Sequence, residues 1–160
     1  MKPEVRITRA FKNVKHPGLK QLTQEEIGYR GDIEFLFKYK KSHWSEIDRD
    51  ELALEGACLS ILSLQGVKYV LPGYLMLFLE DEVNDPNGWV DRLLLVLSKA
   101  GLENDFFLTY EQWSVVSEIF LKKLAEKWDR YGFDATTFGD DWGELIQNAS
   151  RLGFREGGGD

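Results

Sequence analysis

Few residues in this chain could do chemistry. Cys58 is the only thiol, and His16 and His43 are the only imidazoles. A Cys58–His43 pair would make a nucleophile and its base. However, Cys58 lies in the small-residue stretch Gly56-Ala-Cys58, where a buried, inert thiol is the expected reading. His16 stands beside Pro17-Gly18 and His43 beside Trp44, and neither has a Cys or His at metal-ligand spacing. The chain contains no Gly-x-Ser-x-Gly elbow and no glycine-rich loop leading to Lys-Ser or Lys-Thr. What remains are carboxylates. Glu80, Asp81, Glu82, Asp85 and Asp91 fall in one stretch with enough oxygen to hold a divalent cation, but without the twelve-residue calcium-loop pattern. A solvated loop is the expected state there, and no metal or cofactor is expected. A second acidic stretch, 134–141, reads first as a loop with an N-cap at Asp140 or Asp141.

An indole beside carboxylates is the composition of a protein contact. Trp89 is flanked by Asp85 and Asp91, and Trp142 by Asp140, Asp141 and Glu144. The expected partner-binding set is therefore Glu80, Asp81, Glu82, Asp85, Trp89, Asp140, Asp141 and Trp142. The competing reading is that each indole staples a helix end to the core.

Nearly every element that must position these residues reads as helix. Ile7, Phe11 and Val14 keep helical spacing over Lys2 to Val14, and Pro17-Gly18 stops that helix. Thr23 to Glu26 fits a capping box for one short turn. Asp32 would cap a helix from Ile33 to Lys41 with Phe35, Leu36 and Tyr39 inward; the alternation of Ile33, Phe35 and Phe37 makes a strand the competing assignment. Ser42 to Ser45 reads as a connector. Asp48 or Asp50 opens a helix through Leu62. Leu64 to Asp81 reads as an apolar helix with Pro72 inside, expected to kink or restart there because the carbonyl of Lys68 loses its donor. Asp85-Pro86 reads as N-cap and first residue of a helix to about Ser98, with Val90, Leu93, Leu94 and Leu97 inward and Gly101 as its end. A capping box, Thr109 to Gln112, opens the longest helix, to about Tyr131, whose stripe is Trp113, Val116, Phe120, Leu124 and Trp128. Gly132 stops it, and a last helix covers Asp141 to Leu152. The fold class is all-α: a single-domain bundle of about six or seven short helices over residues 1–155, with 156–160 a disordered tail.

Composition narrows the partners. The 160 residues carry 20 basic and 27 acidic groups, a net charge of -7. Residues 1–43 hold ten basic and five acidic residues, whereas 44–111 hold four basic and thirteen acidic. Either the basic first helix lies against the acidic loops, or the acidic middle steers a basic partner. Nucleic acid is not an expected partner, since phosphate contacts need a basic surface. The longest apolar run, Tyr69 to Leu79, has eleven residues, against about 20 for a membrane span. With no export signal and one free thiol, a cytoplasmic location is expected.

The stretch Lys68-Tyr-Val-Leu-Pro-Gly-Tyr-Leu75, after Leu59-Ser-Ile-Leu-Ser63, resembles the hallmark of an uncharacterised bacterial domain family marked by a Tyr-x-Leu-Pro-x-Tyr-Leu helix. The opening helix ending at Pro17-Gly18, Trp44 before the central helix, and Phe107 to Gln112 before the late one follow in the same order. The resemblance spans roughly residues 5–130 and implies a small bacterial helical protein, with no activity attached. Many members carry Cys or His where this chain reads Asp32 to Phe37, so no metal site comes with it.

These features together lead to the expectation of a non-enzymatic protein-binding protein. Its specific form is an immunity-type inhibitor that neutralises a bacterial toxin through an acidic surface. The alternatives are an adaptor or regulatory subunit of a bacterial assembly, and a carboxylate-dependent metal enzyme.

Overall fold

A computed structural model describes residues 1–23, 31–80, 83, 85–102 and 107–126. The Thr23–Glu26 capping box, Asp81, Glu82, the far end of the longest helix with Trp128, the whole 141–152 helix with Asp140, Asp141 and Trp142, and the 156–160 tail lie partly or wholly outside them. Within them the architecture is all-α, with six α-helices joined by 3-10 turns and no strand. They share one hydrophobic core.

Helix α1, Pro3–Ala10, is shorter than its apolar spacing predicts. Even so, Ile7, Phe11 and Val14 all reach the core, because a turn continues their direction past Phe11. Gly18 takes φ 87°, a left-handed conformation that turns the chain after Pro17. The Ile33–Lys41 segment is helical and not a strand, but it winds as a 3-10 helix, Glu34–Tyr39, whose cap position is Ile33 and not Asp32. The Ser42–Ser45 connector holds its own turn, Trp44–Glu46. There the His43 ring and the Glu46 carboxylate close a reciprocal cap. Trp44 is buried, and its indole donates to the Phe11 carbonyl at 2.9 Å, tying that turn to α1.

Asp48 caps α2, Arg49–Leu54, by accepting from the Glu51 amide at 2.9 Å. The predicted continuation to Leu62 breaks into a 3-10 turn, Gly56–Ser60. Close packing at the break explains it: a Cβ at Gly56 would stand 2.6 Å from the Trp89 Cβ.

Helix α3, Leu64–Phe78, is the axis of the molecule. Ser63 caps it, and from Gly66 to Phe78 every residue except Lys68 is buried. A helix apolar all round is a core helix. It runs through Pro72 without the restart predicted there, and it ends three residues earlier than expected. The glycine after the proline admits α2: Leu52 Cδ1 lies 2.5 Å from where a Gly73 Cβ would be.

Helix α4, Trp89–Leu102, buries Val90, Leu93, Leu94 and Leu97 as predicted, and Gly101 does not stop it. Thr109 and Gln112 form the predicted capping box of α5, Tyr110–Val115. The helix then widens into a π turn, Val116–Leu121, before α6, Lys122–Glu126. The wider turn explains the broad stripe: Val115, Val116, Ile119, Phe120 and Leu121 are all buried, and Phe120 meets Phe78 edge-on at 4.9 Å. The basic α1 lies against this helix. Arg6 pairs with Glu118, Arg9 with Glu111 at 3.6 Å, and the Gln112 side chain donates to the Ala10 carbonyl.

Candidate functional site

The groups most able to do chemistry are held in structural roles. Cys58 is fully buried, its Sγ 3.5 Å from the Tyr74 hydroxyl, and burial pushes the thiol up to about 12. Tyr74 in turn donates to the Leu52 carbonyl at 2.9 Å, and burial raises its hydroxyl well above the ordinary value. The hydrogen bond with Tyr74 opposes that rise, but burial outweighs it and the thiol stays protonated at neutral pH. His43 is not beside Cys58. Its Nδ1 receives Ser45, and its Nε2 meets the Lys12 carbonyl at 3.1 Å, which clips α1 to the Trp44 turn. His16 Nδ1 accepts from the Gly18 amide at 3.0 Å, and its ring meets Tyr69 edge-on at 4.9 Å. Burial lowers its pKa, so the neutral ring is the folded form. Among the described residues no group of His, Cys, Asp and Glu converges as a metal site.

The expected contact surface changes in two places. Trp89 is 0% exposed and cannot be a solvent-facing anchor. Its ring packs 4.9 Å from Tyr74 and 6.4 Å from Phe78, while its own backbone and Cβ lie against Gly56. Asp85 is half-buried and turned onto the start of α4, where Oδ1 accepts from the Trp89 amide at 2.6 Å. The predicted cap is therefore real but shifted: Pro86-Asn87 is a turn, and the helix begins at Trp89. Burial pushes the Asp85 carboxyl up, and the amides of Trp89, Val90 and Gly88 oppose that. A carboxylate committed to backbone amides has little left for a partner. Of the expected set, Glu80 alone is described and exposed. Exposed carboxylates outside that set include Glu46, Asp48 and Asp50, at and before the start of α2; Glu46 and Asp48 accept from the His43 and Glu51 amides, which leaves Asp50 the freest of the three.

The feature that sequence reading missed is a cleft of about 670 Å³ along α4. One wall is the outer face of that helix: Arg92, Leu95, Val96, Lys99 and Ala100. These positions follow i, i+3, i+4, i+7 and i+8, the spacing of one helical face. The facing wall comes from Leu59 to Gln65 and from Gln21 and Thr23. Two contacts hold those segments together. Ser63 N–H donates to the Leu22 carbonyl at 2.9 Å, and Ser63 Oγ donates to the Gln21 carbonyl while accepting from the Gly66 amide that starts α3. The same second stripe on α4, with cations at its two ends, was the sequence signal available.

The fold and cleft define a class: an all-α protein with an open, mixed polar and apolar cleft between its fourth helix and the turn before its central one. Comparison with protein-family models, with curated proteins and with solved structures finds no match.

Proposed function

We propose that this chain is a non-catalytic protein-binding module. The observation that carries the reading is the chemistry of the cleft. Its described lining offers amides, hydroxyls, two cations and an apolar stripe, but no imidazole, thiol or carboxylate to move a proton. The imidazoles and the thiol are engaged elsewhere: His16 in the turn at Gly18, His43 against the Lys12 carbonyl and Cys58 against Tyr74.

Two forms of this role use different surfaces. A subunit of a larger assembly would engage its partner through the cleft. An immunity-type inhibitor of a basic toxin would use the negative edge at Glu46, Asp48 and Asp50, exposed ahead of and within α2 beside Leu54, itself 58% exposed. The test is affinity capture by the wild-type chain, repeated with Leu95→Asp in the cleft and with Asp50→Lys on the edge, which leaves the Asp48 cap intact. Loss with the first supports the cleft, and loss with the second supports the edge. A captured partner indifferent to both contradicts binding through either surface.

A further inference from the structure

Among the described residues, the cleft lining is positive on a negative protein. The chain carries a net charge of -7, yet the described residues that line the cleft include Arg92 and Lys99 and no carboxylate. Among the described residues neither cation is in an ion pair. Arg92 Nη1 donates to the Asn87 carbonyl at 2.6 Å, which steadies the guanidinium and leaves its other donors for a ligand. Lys99 is exposed.

Their spacing selects a ligand. Seven residues apart, they share a helix face and stand about 10 Å apart along its axis. Leu95, 47% exposed, and Val96 lie between them. An unpaired chain in the polyproline-II conformation rises about 3.1 Å per residue with three residues per turn. Two carboxylates three residues apart therefore fall on one side of it, about 9 Å apart, and the two residues between them turn toward the cleft walls. The polar side chains of Gln21, Ser60 and Gln65 stand opposite α4, where a ligand's backbone needs partners.

We propose that the cleft binds an extended acidic segment of a partner protein, in which two carboxylates three residues apart meet Arg92 and Lys99 across Leu95 and Val96, and an apolar side chain between them turns to the facing wall at Leu64. This rests on the binding role proposed above and adds the chemistry of what is bound.

The test is fluorescence anisotropy with a labelled peptide carrying Asp-Leu-Pro-Asp, alongside Asn-Leu-Pro-Asn and Lys-Leu-Pro-Lys counterparts. The acidic peptide binds, and the Asn peptide binds about tenfold or more weakly, a difference of about 1.4 kcal/mol. Lys99→Glu and Arg92→Glu each weaken the acidic peptide to a similar degree, and added salt weakens it further. Lys99 is exposed and its side chain makes no ion pair or hydrogen bond among the described residues, so its variant remains informative if Arg92→Glu, which loses the Asn87 contact, unfolds. Equal binding of the Asn peptide, retention by Lys99→Glu, or no binding of the acidic peptide overturns the inference. Preferential binding of the Lys peptide at a site lost with Leu95→Asp overturns it too, while leaving the binding role intact.

Discussion

Helices α3 and α4 are near neighbours in sequence, similar in length and similarly apolar, but their surroundings differ. From Gly66 onward α3 is buried all round apart from Lys68, so its side chains are spent on the core. Helix α4 divides. Trp89, Val90, Leu93, Leu94 and Leu97 face inward, and Arg92, Leu95, Val96 and Lys99 face an open cleft. An apolar stripe that meets other elements stabilises the fold, whereas one flanked by cations and left open is available for recognition. The same division decides the indole at the start of α4. Acidic neighbours suggested a contact residue, but Trp89 belongs to the inward face, and the carboxylate beside it holds the helix end.

The comparison can be broken by substitutions on each side, and the largest effect falls on the inward face. Trp89→Ala removes a fully buried indole from beside Tyr74 and Phe78 and is expected to cost about 3–5 kcal/mol, read by chemical denaturation. An unchanged midpoint would show that the ring is not in the core. Gly56→Ala places a methyl 2.6 Å from the Trp89 Cβ. It is expected to cost about 1–3 kcal/mol, and in a chain of this size each kcal/mol lowers Tm by roughly 2–4 °C. Asp85→Ala removes the acceptor for the Trp89 amide and is expected to cost about 1 kcal/mol. Asp85→Asn keeps an acceptor, so its Tm falls less; equal losses would mean that the cap is not what Asp85 supplies. On the open face, Lys99→Glu lowers stability by no more than about 1 kcal/mol, because its side chain is exposed and only the dipole of the last turn of α4 opposes the new charge.

The smallest effect is a pH dependence. Burial lowers the His16 pKa below its ordinary 6.5, so the folded state favours the neutral ring. That stability is present in full above 6.5 and declines as pH falls through 6.5 toward the lowered folded value. Tm is therefore expected to fall on acidification, and by less in His16→Gln. An equal fall in both would assign the dependence to other groups.

Much of the fold was legible because its signals are local. The Thr109–Gln112 capping box, the Asp48 cap and the inward stripe of α4 all depend on residues within one or two turns. The break at Gly56 and the fate of Trp89 were not, because each is set by the other across 33 positions of sequence. The π turn at Val116–Leu121 was also hidden, since a stripe broadened by Ile119 and Leu121 still reads as α-helical. The cleft needs three separate stretches, two of them joined by Ser63 and the third supplied by α4, and no spacing within one stretch reports that.

The central claim is that the outer face of α4 is the recognition surface, and amide shift mapping during titration with the Asp-Leu-Pro-Asp peptide tests it most directly. The account predicts shifts concentrated at Arg92 to Ala100 and at Ser60 to Gln65, with Glu46 to Asp50 unmoved. Shifts concentrated at Glu46 to Asp50 and Glu80, with Leu95 to Lys99 unmoved, would contradict it.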